Sequence, residues 1–114
     1  MKVAFVAFQG EAMCFAHVLL NALDMAEKGH EVKVIFEGAA TKQIAELSDA
    51  SKPFAQLYAQ VKEKGLVAAV CKACAAKMKS LDAAQAQDLP ISAAMSGHPP
   101  LAEYVEAGYQ IITL

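Results

Sequence analysis

Short apolar runs alternate along the chain with longer stretches of helical periodicity, the arrangement produced by parallel strands joined through crossover helices. Residues 3–8 are an almost unbroken apolar run, as expected of a strand covered on both faces. Past a loop at Gln9 and Gly10, residues 11–28 read as a long first helix, and Gly29 stands where a left-handed residue usually ends one. Residues 30–36 alternate and then turn apolar, a second strand ended by Gly38. Helical segments follow at residues 41–47 and 54–64, with a break at Ser51-Lys-Pro53 because proline biases Lys52 away from helix. Gly65 opens a third strand that ends at Cys71, and a short helix over residues 73–79 starts just after it. Residues 81–88 read as helix or loop and residues 90–94 as a weak strand. Residues 98–107 make the last helix, with Pro99 and Pro100 in its first turn where proline is tolerated, and residues 109–114 the closing strand. The fold class is α/β, a three-layer α/β/α domain on a mainly parallel five-stranded sheet, and residues 1–114 read as a single domain without linker or repeat.

An open parallel sheet gathers ligands and reacting groups outside the carboxyl ends of its strands. That rule singles out Cys71-Lys-Ala-Cys74 after the third strand, the Gln9–Cys14 segment after the first and the Met95–His98 loop after the fourth. A cysteine between a strand and a helix start meets free amides and the positive end of the helix, so the thiol pKa is expected below the ordinary value of about 8.5. Cys14, His17, Asn21, Asp24 and Lys28 recur at steps of three or four and form a polar stripe on an otherwise apolar first helix, whose plainer reading is a solvated face. Cys74 has a plain reading too, as a small apolar residue packed inside its helix.

Composition narrows the partners. The chain has 114 residues, 56% hydrophobic and 19% charged, enough for one core. Its net charge of −2 with interspersed signs gives no footprint for nucleic acid or an anionic membrane. No apolar run approaches the roughly 18 residues of a membrane span. The apolar N-terminus, interrupted at Gln9-Gly-Glu11, fits a first strand better than a signal peptide, so a cytoplasmic location is expected. Three cysteines, an odd number, argue for reduced thiols rather than a disulfide framework.

Two cysteines at this spacing allow several chemistries. A thiol-disulfide oxidoreductase also carries such a pair after a strand, although no tryptophan precedes this one. A zinc site would draw on Cys71, Cys74, Cys14 and either His17 or His98, yet one pair with dispersed partners does not assign a metal. The first loop has neither the glycine spacing of a dinucleotide site nor a phosphate-binding lysine motif.

The whole chain resembles the DsrE/DsrF-like family of small sulfur-relay proteins, in particular its two-cysteine branch. The resemblance rests on Lys2-Val-Ala-Phe-Val-Ala-Phe8, Gly29-His-Glu-Val-Lys-Val-Ile-Phe36, Val70-Cys-Lys-Ala-Cys74 and the closing stretch Leu101 to Thr113. It implies a trimer or hexamer and, in relay members, a cysteine that carries sulfane sulfur as a persulfide; Cys71 matches that position and Cys74 the second cysteine of the branch. Met95-Ser-Gly-His-Pro-Pro100 departs from the family's usual loop. On this reading Cys71 is a sulfur carrier or sulfurtransferase residue, activated by the helix start with help from Lys72 or Lys77. Either an acceptor thiol then removes the sulfur, or Cys74 attacks the Cys71 persulfide, releasing sulfide and leaving a disulfide; Cys14, His17 and His98 are accessory candidates. Partners are then sulfur donor and acceptor proteins and other copies of the chain, with no organic cofactor. The alternative is an oligomeric binding or scaffold subunit with incidental thiols, suggested by a first helix apolar around most of its circumference.

Overall fold

The strand β1 (Lys2–Ala7) lies inside the sheet, between β2 (Glu31–Phe36) and β5 (Gln110–Thr113), and its unbroken apolar sequence follows from having both faces covered. β3 (Val67–Cys71) pairs with β2, and the two-residue β4 (Ile91–Ser92) forms the far edge, giving the all-parallel order β4-β3-β2-β1-β5. This computed structural model describes all 114 residues.

Topology decides how the helices divide between the two faces. The crossovers from β1 through β4 all step in one direction, so right-handed connections put their helices on one side of the sheet. These are α1 (Ala12–Glu27), α2 (Lys42–Glu46), α3 (Ala55–Glu63), α4 (Lys72–Lys77) and α5 (Leu81–Ala86). The last connection returns across the sheet and delivers α6 (Ala102–Glu106) to the opposite side. The core divides in the same way. Val3, Phe5, Val34, Phe36 and Val70 pack with Phe15, Leu19, Ile44, Tyr58 and Ala75, whereas Ala4, Val6, Ile35 and Ala69 pack with Tyr109, Leu101 and Tyr104.

Phe15, Phe36 and Tyr58 lock β2 to α1 and α3, with ring centroids 5.0, 6.2 and 6.3 Å apart. Such pairs contribute about 0.5–1.5 kcal/mol each beyond their burial. Because Phe36 is the last residue of β2, this cluster fixes the strand end from which Glu37 projects.

The element order follows the hydropathy pattern, with three differences. Gly38–Thr41 adds a turn of 3₁₀ helix ahead of α2. The stretch read as helix or loop is the helix α5. The last helix starts at Ala102 rather than His98, because each of the two prolines disfavours helix in the residue before it. Released from the helix, His98 instead closes a tight turn.

Candidate functional site

Side chains alternate along a strand, so the residue after Phe36 and the residue after Val70 both point away from the aromatic cluster. Phe36 and Val70 are register partners, which makes Glu37 and Cys71 neighbours at the carboxyl edge of the sheet. Both are buried, Cys71 completely.

Met95-Ser-Gly-His98 brings a third side chain to that edge. Met95 and His98 exchange two backbone hydrogen bonds of 2.9 Å, and the central residues Ser96 and Gly97 have φ of 49° and 94°. Two positive φ values in succession are the requirement of a type I′ turn. The turn docks on the start of α4, where Gly97 O accepts from the Ala73 amide at 3.0 Å. His98 Nδ1 thereby comes to 3.0 Å from Cys71 Sγ, 3.8 Å from Cys74 Sγ and 3.9 Å from Glu37 Oε1.

Cys71 caps α4, and its sulfur accepts the Cys74 amide at 3.4 Å. The Cys71 thiol pKa is raised, not depressed as its place between strand and helix predicts. Burial pushes the Cys71 thiol up to about 11, against the lowering effect of the Cys74 amide and with a further rise from the Glu37 charge. The helix start cannot reverse this, because α4 has only six residues and Gly97 O already takes the Ala73 amide. The resting Cys71 is a thiol that lies 3.0 Å from His98 Nδ1 and donates to Gly97 O at 3.7 Å. Burial also raises the pKa of the Glu37 carboxyl, while His98 works against that rise.

Of the residues singled out by sequence, Cys71, Cys74 and His98 converge, and Cys14, His17 and Lys72 stand outside the cluster. His17, Asn21, Asp24 and Lys28 form the solvated face of α1, stitched by Asn21 Nδ2 donating to His17 O at 2.8 Å and by a Lys28–Asp24 pair at 3.0 Å. Cys14 is half-buried in the first turn of that helix, and Lys72 points to solvent. Glu37 was missed; an acidic residue directly after an apolar strand of a parallel sheet was the available signal.

Beside Cys74 lies a pocket of about 290 Å³, lined by Gly38, Ala39, Cys74, Lys77 and Met78. A larger pocket of about 510 Å³ on the helical face, beside Tyr58, Lys62 and Gln87, shares no residue with the cluster.

The DsrE/DsrF-like family model matches residues 1–114. An uncharacterized protein of Methanocaldococcus jannaschii is 33% identical over 120 residues, covering 100% of this chain and 96% of its own. An uncharacterized protein of Archaeoglobus fulgidus is 40% identical over 40 residues, 35% of this chain and 66% of its own length. No solved structure gives a significant match. The chain belongs to the DsrE/DsrF-like family.

Proposed function

We propose that the protein is a cytoplasmic sulfur-relay carrier that holds sulfane sulfur as a persulfide on Cys71. The observation that carries this reading is a strand-end thiol with a ring nitrogen, His98 Nδ1, at 3.0 Å and a second thiol three residues on. Membership of a family associated with sulfur relay supports it.

In the loading step His98 Nδ1 takes the Cys71 proton, and the Cys71 thiolate attacks the terminal sulfur of a donor persulfide. The donor S–S bond breaks, a new S–S bond forms at Cys71 Sγ, and the donor thiolate leaves with the proton. The Glu37 carboxylate beside Nδ1 stabilises the transient imidazolium. Two discharges are open to the loaded residue. An acceptor thiolate removes the terminal sulfur and regenerates Cys71, or Cys74 attacks Cys71 Sγ, expelling hydrosulfide and leaving a disulfide. In the second route two thiols are oxidised as one sulfane sulfur is reduced, so an external thiol must restore the pair.

The full burial of Cys71 favours the competing reading, a scaffold subunit with incidental thiols. Assembly into a homo-oligomer suits either; exposed Met13 and Leu20 lie one heptad apart on α1, interleaved with His17 and Asp24. Mass spectrometry of the reduced protein after incubation with a persulfide donor separates the two: a sulfur atom mapped to Cys71 supports the carrier, and unmodified thiols support the scaffold.

A further inference from the structure

Three side chains converge on one atom of His98. Cys71 Sγ, Cys74 Sγ and Glu37 Oε1 approach the same Nδ1, and the four ligand atoms all lie within 4.8 Å of one another. A ring nitrogen offers one proton or one lone pair at that position, so it serves one of the three and leaves the others facing each other. A catalytic triad would use both ring nitrogens, one toward sulfur and the other toward the carboxylate. Glu37 sharpens the conflict, because its side chain is only 10% exposed and its approach to His98 Nδ1 is a long 3.9 Å. A carboxylate so deeply buried is costly without a cation beside it.

We propose that Glu37, Cys71, Cys74 and His98 form a tetrahedral site for a thiophilic divalent cation of the zinc type. Zinc–sulfur bonds of about 2.3 Å and zinc–nitrogen or zinc–oxygen bonds of about 2.0–2.1 Å put neighbouring ligand atoms of a tetrahedron about 3.3–3.8 Å apart. The separations of 3.0, 3.8 and 3.9 Å from Nδ1 need only small side-chain rotations to meet that geometry. Two sulfurs select against magnesium and calcium, and the nitrogen and carboxylate complete a zinc-like set. Two ligands are buried and two half-buried, so the ion enters from the Cys74 and His98 side. On binding, the two thiols give up their protons to solvent and no electrons move. This set differs from the one sequence spacing allows, which joins Cys14 and either His17 or His98 to the two cysteines; here Glu37 stands in place of Cys14. The ion and a sulfane sulfur exclude each other at Cys71 Sγ, but metal binding is measured on reduced protein without a sulfur donor, so either reading can fail alone.

The test is an anaerobic titration of the reduced, metal-free full chain with Co²⁺, read by absorption and followed by Zn²⁺ back-titration and native mass spectrometry. One equivalent of Co²⁺ is expected to give thiolate-to-cobalt charge-transfer bands and intense tetrahedral visible bands, erased by one equivalent of Zn²⁺, with one zinc per chain by mass. Cys14→Ser and His17→Ala should keep the spectrum. Cys74→Ser should lose it, and Glu37→Gln should bind at least about tenfold more weakly. Wild-type protein without tetrahedral bands overturns the proposal whatever the variants do; so do bands that survive unchanged in Cys74→Ser or vanish in a folded Cys14→Ser.

Discussion

Cys71 Sγ and His98 Nδ1 stand 3.0 Å apart although 27 positions separate them in sequence. A crossover, a two-residue edge strand and a tight turn must all form before they meet, so the pair reports on the fold as directly as on the chemistry.

The ionisation of Cys71 is accessible through alkylation. With burial holding the thiol near 11, its modification rate should keep rising with pH well past about 8.5, where a free cysteine is half ionised. Iodoacetamide labelling followed by peptide mapping across pH 6–11, a range chosen on the ordinary thiol value, checks this; a plateau by about pH 8 contradicts it. The same shift has a stability consequence. The unfolded chain loses this proton first, so the contribution is fully present below about pH 8.5 and is lost as pH rises toward about 11. Denaturant midpoints should fall across that window and recover in Cys71→Ser.

Glu37→Gln removes a negative charge that opposes ionisation of Cys71. The alkylation profile of Cys71 should shift to lower pH in this variant while the far-UV circular dichroism spectrum stays native. A shift to higher pH would mean that the carboxyl acts on Cys71 by accepting its proton rather than through its charge.

Gly97 has a φ of 94°, and a Cβ there would lie 3.1 Å from Ala73 Cβ. Gly97→Ala should cost about 1–2 kcal/mol through backbone strain and push the turn away from α4, lowering both the melting temperature and the persulfide yield. Unchanged loading would show that His98 is not needed where the turn holds it.

Truncating Phe36 tests the packing behind the site. Phe36→Ala removes one ring of the aromatic cluster and should destabilise the protein by about 3–5 kcal/mol in urea unfolding. A loss below about 1 kcal/mol would mean that the cluster is not what anchors the end of β2.

Much of this architecture is legible in the sequence because hydrophobic period and helix stops are local signals. The unbroken run of β1 reports two covered faces, and Gly29 adopts the left-handed conformation expected of it, with φ of 89°. Cys71 and Cys74 are legible for the same reason, since a strand end and a helix start adjoin. What is not local is harder to read. Glu37 gains its place only through the β2–β3 register, and the stripe through His17 shares the spacing of a ligand face yet meets solvent. The thiol pKa is not legible locally either, because the helix start shows in the sequence while the burial of Cys71 and the carbonyl of Gly97 do not.

The most direct test of the relay reading is intact-mass and peptide-mapping spectrometry of anaerobically reduced wild type, Cys71→Ser and Cys14→Ser, each incubated with a persulfide donor. One added sulfur is expected on Cys71 of wild type and Cys14→Ser, removed by thiol treatment and absent from a folded Cys71→Ser. Sulfur that still loads in Cys71→Ser, or thiols that all stay unmodified in wild type, would contradict it.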